Sequence, residues 1–194
     1  MTESEIIEKL RLTQKERRFN HTLGVAKEAR RIAIQYGASP EKAYLTALLH
    51  DCAKNLDEYC GEDFLSLCKK YGAKIDEYAE KENALMHAFL GAEVARKDYN
   101  IDDEEILDAI YYHTTARKNM TLLEKVIYVA DMTEPGRTME QADTIRNLSQ
   151  KDIDEAVIYS LGCSIKHVIK KGMIIHPYSI EALNYLVEHR RNKA

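Results

Sequence analysis

The sequence contains no tryptophan, only three prolines and no excess of positive charge. What it lacks already excludes several classes of protein. No apolar run approaches the roughly 20 residues that cross a bilayer, so a membrane-spanning helix is not predicted. A formal net charge of −4 creates no basic field, and nucleic acid is therefore not predicted as a partner. The N-terminal segment MTESEIIEKL is acidic and lacks the apolar core of a signal peptide, so we expect a cytoplasmic protein.

The four cysteines show no spacing that is typical of a zinc site. There is no CxxC pair among Cys52, Cys60, Cys68 and Cys163. In a reducing compartment we expect buried or half-buried thiols, and nothing in their pattern requires a disulfide.

Almost every segment repeats its apolar residues with a helical period, and no stretch alternates as a strand would. The chain is therefore predicted to be all-α, a single compact helical bundle over residues 1–194 without repeats. Thr2 with Glu5 begins a first helix, Gly37 ends a second, and Ser39-Pro40 begins a third. Further helices are predicted over Glu62–Tyr71, Ala84–Asp98, Asp103–His113, Leu122–Thr133, Ile153–Lys170 and Ile180–Arg190.

Six polar residues occupy positions that the helical pattern points inward. They are His21, His50, Asp51, His87, His113 and Asp131. Taken singly, a hydrogen-bonded core histidine explains His87, and a buried lysine partner explains Asp131. Together they are harder to explain, because an ionised carboxylate is costly to bury unless it is paired or bound to a metal. A shared metal ion satisfies all six and supplies the positive charge that two aspartates require.

The order H…HD…H…H…D resembles the HD superfamily of metal-dependent phosphohydrolases. The segments RRFNHTLGVA, ALLHDCAK, DMTEPGR and KGMIIHPYSIEALNY further resemble the YqeK family, the bacterial symmetrical diadenosine tetraphosphate hydrolases. The resemblance extends from about Arg17 to Tyr185. It implies an HD-domain bundle with a metal-binding core at about 17–137, on which C-terminal helices at 152–190 pack.

The same resemblance implies roles for individual residues. His21, His50, Asp51 and Asp131 match core metal ligands, with Asp51 able to bridge two ions. His87 and His113 match positions that bind a second metal or contact phosphate oxygens. The implied catalytic residues are Asp51, Lys54 and Arg137. The implied phosphate- or nucleotide-binding residues are Arg18, His21, Lys54, His87, His113, Thr114, Arg137, Lys171, Gly172, Met173, Ile174 and Ile175.

The metal that the family implies is iron, as one or two ions. Imidazole and carboxylate ligands without thiolate suit iron, manganese, cobalt or nickel at least as well as zinc. The residues alone do not distinguish a mononuclear from a dinuclear site.

Three cations lie near the predicted ligands in the sequence. Arg18 precedes His21 by one helical turn and shares its face, and Lys54 follows the HD pair closely. Arg137 follows a Pro-Gly turn that can bring it back over the site. We predict phosphate binding for Lys54 and Arg137, because both are tethered to a proposed ligand, and a solvated role for Arg17.

The predicted reaction is hydrolysis of a phosphoanhydride by metal-activated water. The family resemblance sets the substrate as diadenosine tetraphosphate, cut into two ADP, with the 171–177 loop holding one nucleoside. His176, within that loop, is predicted to be structural.

Two alternative functions stay open. One is an HD enzyme acting on a nucleoside monophosphate, a guanosine polyphosphate or a cyclic dinucleotide, and the other is a regulator that binds a nucleotide without turnover. The oligomeric state is not readable from the sequence.

Overall fold

The computed structural model describes residues 1–138 and 140–193, and within these ranges the chain forms twelve α-helices and no strand. The all-α prediction is confirmed. No helix in these ranges is long and apolar enough to cross a membrane. The helices are α1 Glu3–Thr13, α2 Glu16–Tyr36, α3 Pro40–Leu49, α4 Leu56–Cys60, α5 Phe64–Tyr71, α6 Glu77–Lys81, α7 Asn83–Asp98, α8 Glu104–Tyr112, α9 Leu122–Thr133, α10 Glu140–Ser149, α11 Ile153–Lys170 and α12 Pro177–Lys193.

The helix ends follow the local signals in the sequence. Thr2 and Glu5 exchange side-chain and backbone hydrogen bonds at the start of α1, which forms the predicted capping box. Gly37 ends α2 with φ 71°, a left-handed conformation that costs glycine little. Ser39 accepts a hydrogen bond from the Lys42 amide at the start of α3.

Several predicted boundaries move by a few residues. The helices α9 and α11 have the predicted bounds, whereas α5 begins at Phe64 because Asp63 caps it. Helix α12 begins at Pro177, three residues before the predicted start. The helices α4, α6 and α10 were not predicted.

Helix α2 lies at the centre of the bundle. It packs against α3 and α9, while α7 packs against α5 and α8, and α11 packs against α9, α10 and α12. The inward face of α2 carries the small residues Ala26, Ala29 and Ala33, each fully buried, which lets its neighbours approach closely. Three of the five helices that carry the predicted ligands do so at or near their C-terminal ends, namely α3, α8 and α9, whereas α2 and α7 carry them in their N-terminal thirds.

All four cysteines are free thiols. Cys52 and Cys68 are buried and Cys163 is half-buried, as expected, but Cys60 is exposed. The prediction was wrong for Cys60 because it ends the short surface helix α4, which the sequence analysis did not detect.

A buried ion pair joins the start of α9 to the segment before it. Glu124 is 2% exposed, and Arg117 Nη2 lies 2.5 Å from its Oε1 while Arg117 Nε donates to Oε2 at 3.2 Å. Burial raises the pKa of Glu124, and the arginine opposes that effect. The carboxylate thus depends on Arg117 for its charge compensation.

We expect Arg117→Ala to lower the free energy of unfolding by about 2–4 kcal/mol, because it leaves a buried carboxylate without its cation. Adding Glu124→Gln should recover most of that loss in urea unfolding. The control is Arg96→Ala, whose partner Glu104 is exposed, with an expected loss below about 1 kcal/mol. Equal losses in the two arginine variants would contradict the prediction.

Candidate metal centre

The HD pair lies in a tight turn at the end of α3. His50 keeps helical dihedral angles as the C-cap, and the Lys54 amide donates to the Asp51 carbonyl at 3.0 Å. Buried Gln14, at the end of α1, donates its Nε2 to the same carbonyl at 3.1 Å. The Thr22 hydroxyl in turn donates to Gln14 Oε1 at 3.1 Å. Two helices other than α3 therefore hold the backbone of this turn in place.

The Asp51 carboxylate is the point at which the predicted residues meet. Its Oδ1 lies 3.1 Å from His87 Nε2 and 3.5 Å from His113 Nε2. Its Oδ2 lies 3.4 Å from His50 Nε2 and 2.6 Å from Arg18 Nη1. Burial acts to raise the pKa of Asp51, but the neighbouring imidazoles of His50, His113 and His87 hold that pKa well below its usual value. Asp51 is therefore an ionised, buried carboxylate.

Two of the histidines are oriented in the same way by their own helices. His50 Nδ1 donates to the Ala47 carbonyl at 2.6 Å, and His113 Nδ1 donates to the Ile110 carbonyl at 2.7 Å. In each ring the Nε2 atom is left facing Asp51 with its lone pair free when the imidazole is neutral. His50 Nε2 is buried and makes no hydrogen bond with any described residue. Such an atom suits metal coordination.

His21 and Asp131 form the side of the site nearest α9. His21 Nε2 lies 3.0 Å from Asp131 Oδ1, yet it is buried and has no partner with hydrogen-bond geometry in the described chain. Arg137 Nη2 donates to Asp131 Oδ1 at 2.7 Å, and its Nε donates to the Asp131 carbonyl at 2.9 Å. Burial acts to raise the pKa of Asp131, but His21, His50 and Arg137 lower it far more. The cation beside Asp131 is thus an arginine, not the lysine considered from the sequence.

Lys54 and His87 face one another on the opposite side. Lys54 Nζ lies 3.0 Å from His87 Nδ1 and 3.2 Å from its Nε2, and His87 Nε2 lies 3.3 Å from His113 Nε2. Burial lowers the pKa of His87 to about 3, so the ring is neutral near pH 7. Burial also lowers the pKa of Lys54. A neutral imidazole can bind metal or accept a hydrogen bond from the lysine.

These residues form two groups with the spacing of metal ligands. One consists of His21, His50 and Asp51, and the other of Asp51, His87 and His113; within each, the ligand atoms lie within 4.8 Å of one another. Asp51 belongs to both groups. Imidazole nitrogens and carboxylate oxygens, with two buried ring nitrogens lacking hydrogen bonds, are a donor set that fits a divalent metal ion.

The remaining predicted residues lie further from Asp51 or contact other elements. Thr114 follows His113 directly, and its buried hydroxyl oxygen has no hydrogen-bond partner among the described residues. In the 171–177 loop, Gly172 has φ 66° and the Ile174 amide donates to Glu82 Oε1 at 3.0 Å. Lys171 and Gly172 are exposed, whereas Met173 and Ile175 are half-buried.

His176 anchors that loop. Its Nε2 lies 2.8 Å from Asp76 Oδ2, and its Nδ1 accepts from the Tyr178 amide at 3.2 Å. Its ring packs against Phe89, two residues after His87 in α7. The loop is thus tied to the start of α6 and to α7.

Sequence reasoning missed three residues that support the site: Gln14, Glu134 and Arg146. Glu134 Oε1 lies 3.1 Å from His21 Nδ1. Arg146 in α10 donates to the carbonyls of Thr133, Glu134 and Arg137 at 2.9, 3.0 and 2.9 Å. Glu134, three residues after Asp131, was the only one of the three inside a segment already singled out, and a second carboxylate there was the available signal.

Comparison with known proteins agrees with this geometry. The HD domain family model matches residues 18–136. The chain is 37% identical to the "Bis(5'-nucleosyl)-tetraphosphatase, symmetrical" of Bacillus subtilis, over 89% of this chain and 90% of that protein. It is 35% identical to the protein of the same name from Staphylococcus aureus, over 88% of this chain and 87% of that one.

A solved structure has the same fold. It is a crystal structure from Clostridium acetobutylicum, described as a predicted HD superfamily hydrolase involved in NAD metabolism. Its TM-score is 0.91 at 39% identity, covering 97% of this chain and 98% of that chain. The chain therefore belongs to the HD-domain family and, within it, to the family of the symmetrical bis(5'-nucleosyl)-tetraphosphatases.

Proposed function

We propose that this chain is a metal-dependent hydrolase that cleaves diadenosine tetraphosphate symmetrically into two ADP. The observation that carries this conclusion is the Asp51 carboxylate, shared by two groups of metal-ligating residues in a chain that aligns with symmetrical tetraphosphatases over most of its length. Those relatives do not favour the alternatives, which were other HD-type nucleotide hydrolases and a regulator without turnover.

In this proposal His21, His50, Asp51 and Asp131 hold the first metal ion. His87 and His113 hold a second ion with Asp51 or contact phosphate oxygens. Iron is the proposed metal, with manganese, cobalt and nickel as substitutes, because the donors are nitrogen and oxygen without thiolate. The contacts around Asp51 support this assignment, since three of the other five side chains, His50, His87 and His113, converge on its carboxylate.

When bound, a divalent metal supplies a Lewis acid for phosphate oxygens and a water whose pKa is lowered to about 7. The proposed task of the chain is to position phosphate groups against that water. Arg18 and Arg137 are 31% and 32% exposed, so each can contact a ligand carboxylate and an arriving phosphate. Lys54 contributes a point charge beside His87, whereas each guanidinium can bind two oxygens. These cations stabilise charge on the transferred phosphoryl group and on the departing ADP.

The nucleoside is proposed to lie on the His87 side of the site. Thr114 offers a hydroxyl without a partner in the described chain, next to His113. The backbone amides of residues 171–174 already donate to acceptors within the chain, so this loop is proposed to contact the nucleoside through its side chains. His176 ties the loop to Asp76 and Phe89. In this arrangement residues at about 17–137 form the metal-binding core, and the C-terminal helices at 152–190 close the nucleotide side.

The position of the broken bond tests this function. We expect diadenosine tetraphosphate to yield ADP alone, because in this proposal the water attacks the second phosphorus of the four-phosphate chain. In water enriched with oxygen-18, one solvent oxygen should appear on one of the two ADP molecules, measured by mass spectrometry after chromatography. AMP and ATP in equal amounts would overturn the symmetrical assignment. Consumption of mononucleotides or cyclic dinucleotides instead would show that the substrate was misassigned.

Metal content provides a separate test. Protein expressed without added metal should carry about one or two ions per chain, mostly iron, by elemental analysis, because mixed nitrogen and oxygen donors surround Asp51. Removing the metal with a chelator should abolish turnover, and iron or manganese should restore it. Metal-free protein with full activity would contradict the assignment.

A further inference from the structure

His21 differs from His50 and His113 in the group that orients its ring. The other two donate Nδ1–H to a backbone carbonyl of their own helix. His21 Nδ1 instead lies 3.1 Å from the Oε1 atom of Glu134, which follows α9. Glu134 is 5% exposed, so this carboxylate is withdrawn from water. A side chain distant in sequence therefore does for His21 what a helix backbone does for the other two rings.

The contact determines which ring nitrogen of neutral His21 carries the proton. An ionised carboxylate only accepts hydrogen bonds, so His21 Nδ1 must donate to it. The lone pair of neutral His21 is then on Nε2, which faces Asp131 Oδ1 at 3.0 Å. Two acceptors cannot hydrogen-bond to each other, and His21 Nε2 indeed has no hydrogen-bond partner in the described residues. This is the arrangement that a metal ion between the two atoms would satisfy.

Two glycines leave the space that the Glu134 carboxylate occupies. A Cβ atom at Gly24, one turn after His21 in α2, would lie 2.7 Å from Glu134 Oε2. A Cβ atom at Gly136 would lie 2.9 Å from the same oxygen, and the Gly136 amide donates to it at 2.6 Å. Any other residue at position 24 would therefore require the Glu134 carboxylate to shift from its observed position.

The backbone of Glu134 is held as firmly as its side chain. Arg146 donates to the Glu134 carbonyl and to the carbonyls on either side of the turn, at Thr133 and Arg137. The carboxylate itself accepts from His21 and from the Gly136 amide. With backbone and side chain both restrained, Glu134 presents one oxygen to His21 in a fixed direction.

We propose that Glu134 is a positioning residue for the metal centre, acting through His21 in a recess formed by Gly24 and Gly136. Its carboxylate holds His21 in the tautomer whose Nε2 can bind a divalent metal. The inference rests on the proposed function in one respect, that His21 is a metal ligand. Hydrogen-bond partners of ligating histidines typically change metal affinity by about 10- to 100-fold when removed.

The test uses Glu134→Gln, which keeps the size of the side chain. The amide oxygen is expected to accept from the fixed Gly136 N–H, which leaves the amide NH2 facing His21 Nδ1. His21 should then carry its proton on Nε2 and donate it to Asp131, a pairing that blocks metal coordination. Histidine ring nitrogen NMR on the metal-free full chain reads the tautomer directly, with His21→Gln to assign the signal. Manganese titration followed by the EPR signal of the free ion reads affinity.

A second variant, Gly24→Ala, tests the same carboxylate by adding a Cβ atom to the helix that faces it. Gly24→Ala should displace Glu134 and weaken Mn²⁺ binding by a similar factor, about 10- to 100-fold. The double variant should be no worse than either single one, because both remove the same contact. The matched control is Gly162→Ala in α11, where an added Cβ meets nothing within 4 Å, and its Mn²⁺ affinity should equal that of the parent.

The outcomes separate this inference from the function on which it rests. The inference is supported if all three single variants, His21→Ala, Glu134→Gln and Gly24→Ala, bind Mn²⁺ weakly and Glu134→Gln also shows the tautomer change. A second outcome is that His21→Ala loses Mn²⁺ binding while Glu134→Gln keeps the parental affinity and tautomer. That outcome overturns the role of Glu134 and leaves the ligand set intact. Weak Mn²⁺ binding in Glu134→Gln without a tautomer change also overturns it, since Glu134 then acts on the metal directly. Parental affinity in His21→Ala overturns both.

Discussion

Replacing Asp51 by asparagine is expected to reduce turnover by on the order of 10³-fold or more, which corresponds to about 4 kcal/mol of lost transition-state stabilisation. Asp51 is the one residue common to both ligand groups, and three imidazole nitrogens face its carboxylate. A neutral amide cannot balance the charge of a metal ion as a carboxylate does. Elemental analysis of the purified variant should therefore show metal content falling together with turnover.

The stability of Asp51→Asn should change much less than its activity. In metal-stripped protein the substitution removes a buried charge, and the Arg18 side chain it leaves behind is 31% exposed and can be solvated. We expect the free energy of unfolding to change by less than about 2 kcal/mol when both proteins are compared without metal. Asp102→Asn, at an exposed aspartate outside the site, is the control and should leave both quantities unchanged. A variant that unfolds but keeps full specific activity while folded would refute the role of Asp51.

Lys54→Ala and Arg137→Ala are expected to lose turnover while retaining metal. Each removes a charged contact to phosphate worth about 1.5–3 kcal/mol, or roughly a 10- to 150-fold fall in kcat/KM. Arg137 also pairs with Asp131, but in the proposed site a bound metal ion would still compensate that carboxylate. Metal content, kcat and KM should be measured on the same preparations. Loss of metal in either variant would show that the residue supports the metal centre instead.

Neighbouring arginines provide a matched pair for the same experiment. Arg18 contacts Asp51 Oδ2 at 2.6 Å, whereas Arg17 is exposed. We expect Arg18→Ala to lose turnover while retaining metal, as Lys54→Ala and Arg137→Ala do. Arg17→Ala should have parental kinetics. Parental kinetics in Lys54→Ala and Arg137→Ala as well would show that neither side chain binds phosphate during turnover.

Most of the fold followed from local signals. Apolar periodicity predicted α9 and α11, because these helices bury a continuous stripe. The helices α4 and α6 have five residues each, which is too short for a period to be seen. Helix α10 buries only Ala142, Ile145 and Ser149 in a polar segment, so its apolar signal is weak. Its place is determined by packing against α9 and α11.

Part of the candidate site could likewise be predicted from local sequence, and part could not. Its histidines and aspartates could be predicted because each is a polar residue on an apolar helix face. Gln14 and Arg146 could not, because their hydrogen bonds go to backbone carbonyls that only the folded chain brings near. Nor could the sequence predict that Arg18 and Arg137 would each lie against the carboxylate of a proposed ligand, since that depends on the tertiary arrangement of α2, α3 and α9.

Those two arginine–aspartate pairs bear on whether the chain folds before or after it binds metal. Asp51 and Asp131 already have counter-ions supplied by the chain, at 2.6 Å from Arg18 and 2.7 Å from Arg137. The charges at the centre are therefore compensated before any ion arrives, unlike small zinc domains that stay unfolded without metal. We therefore expect the chain to fold before it binds metal, so that metal loading is a step separate from folding.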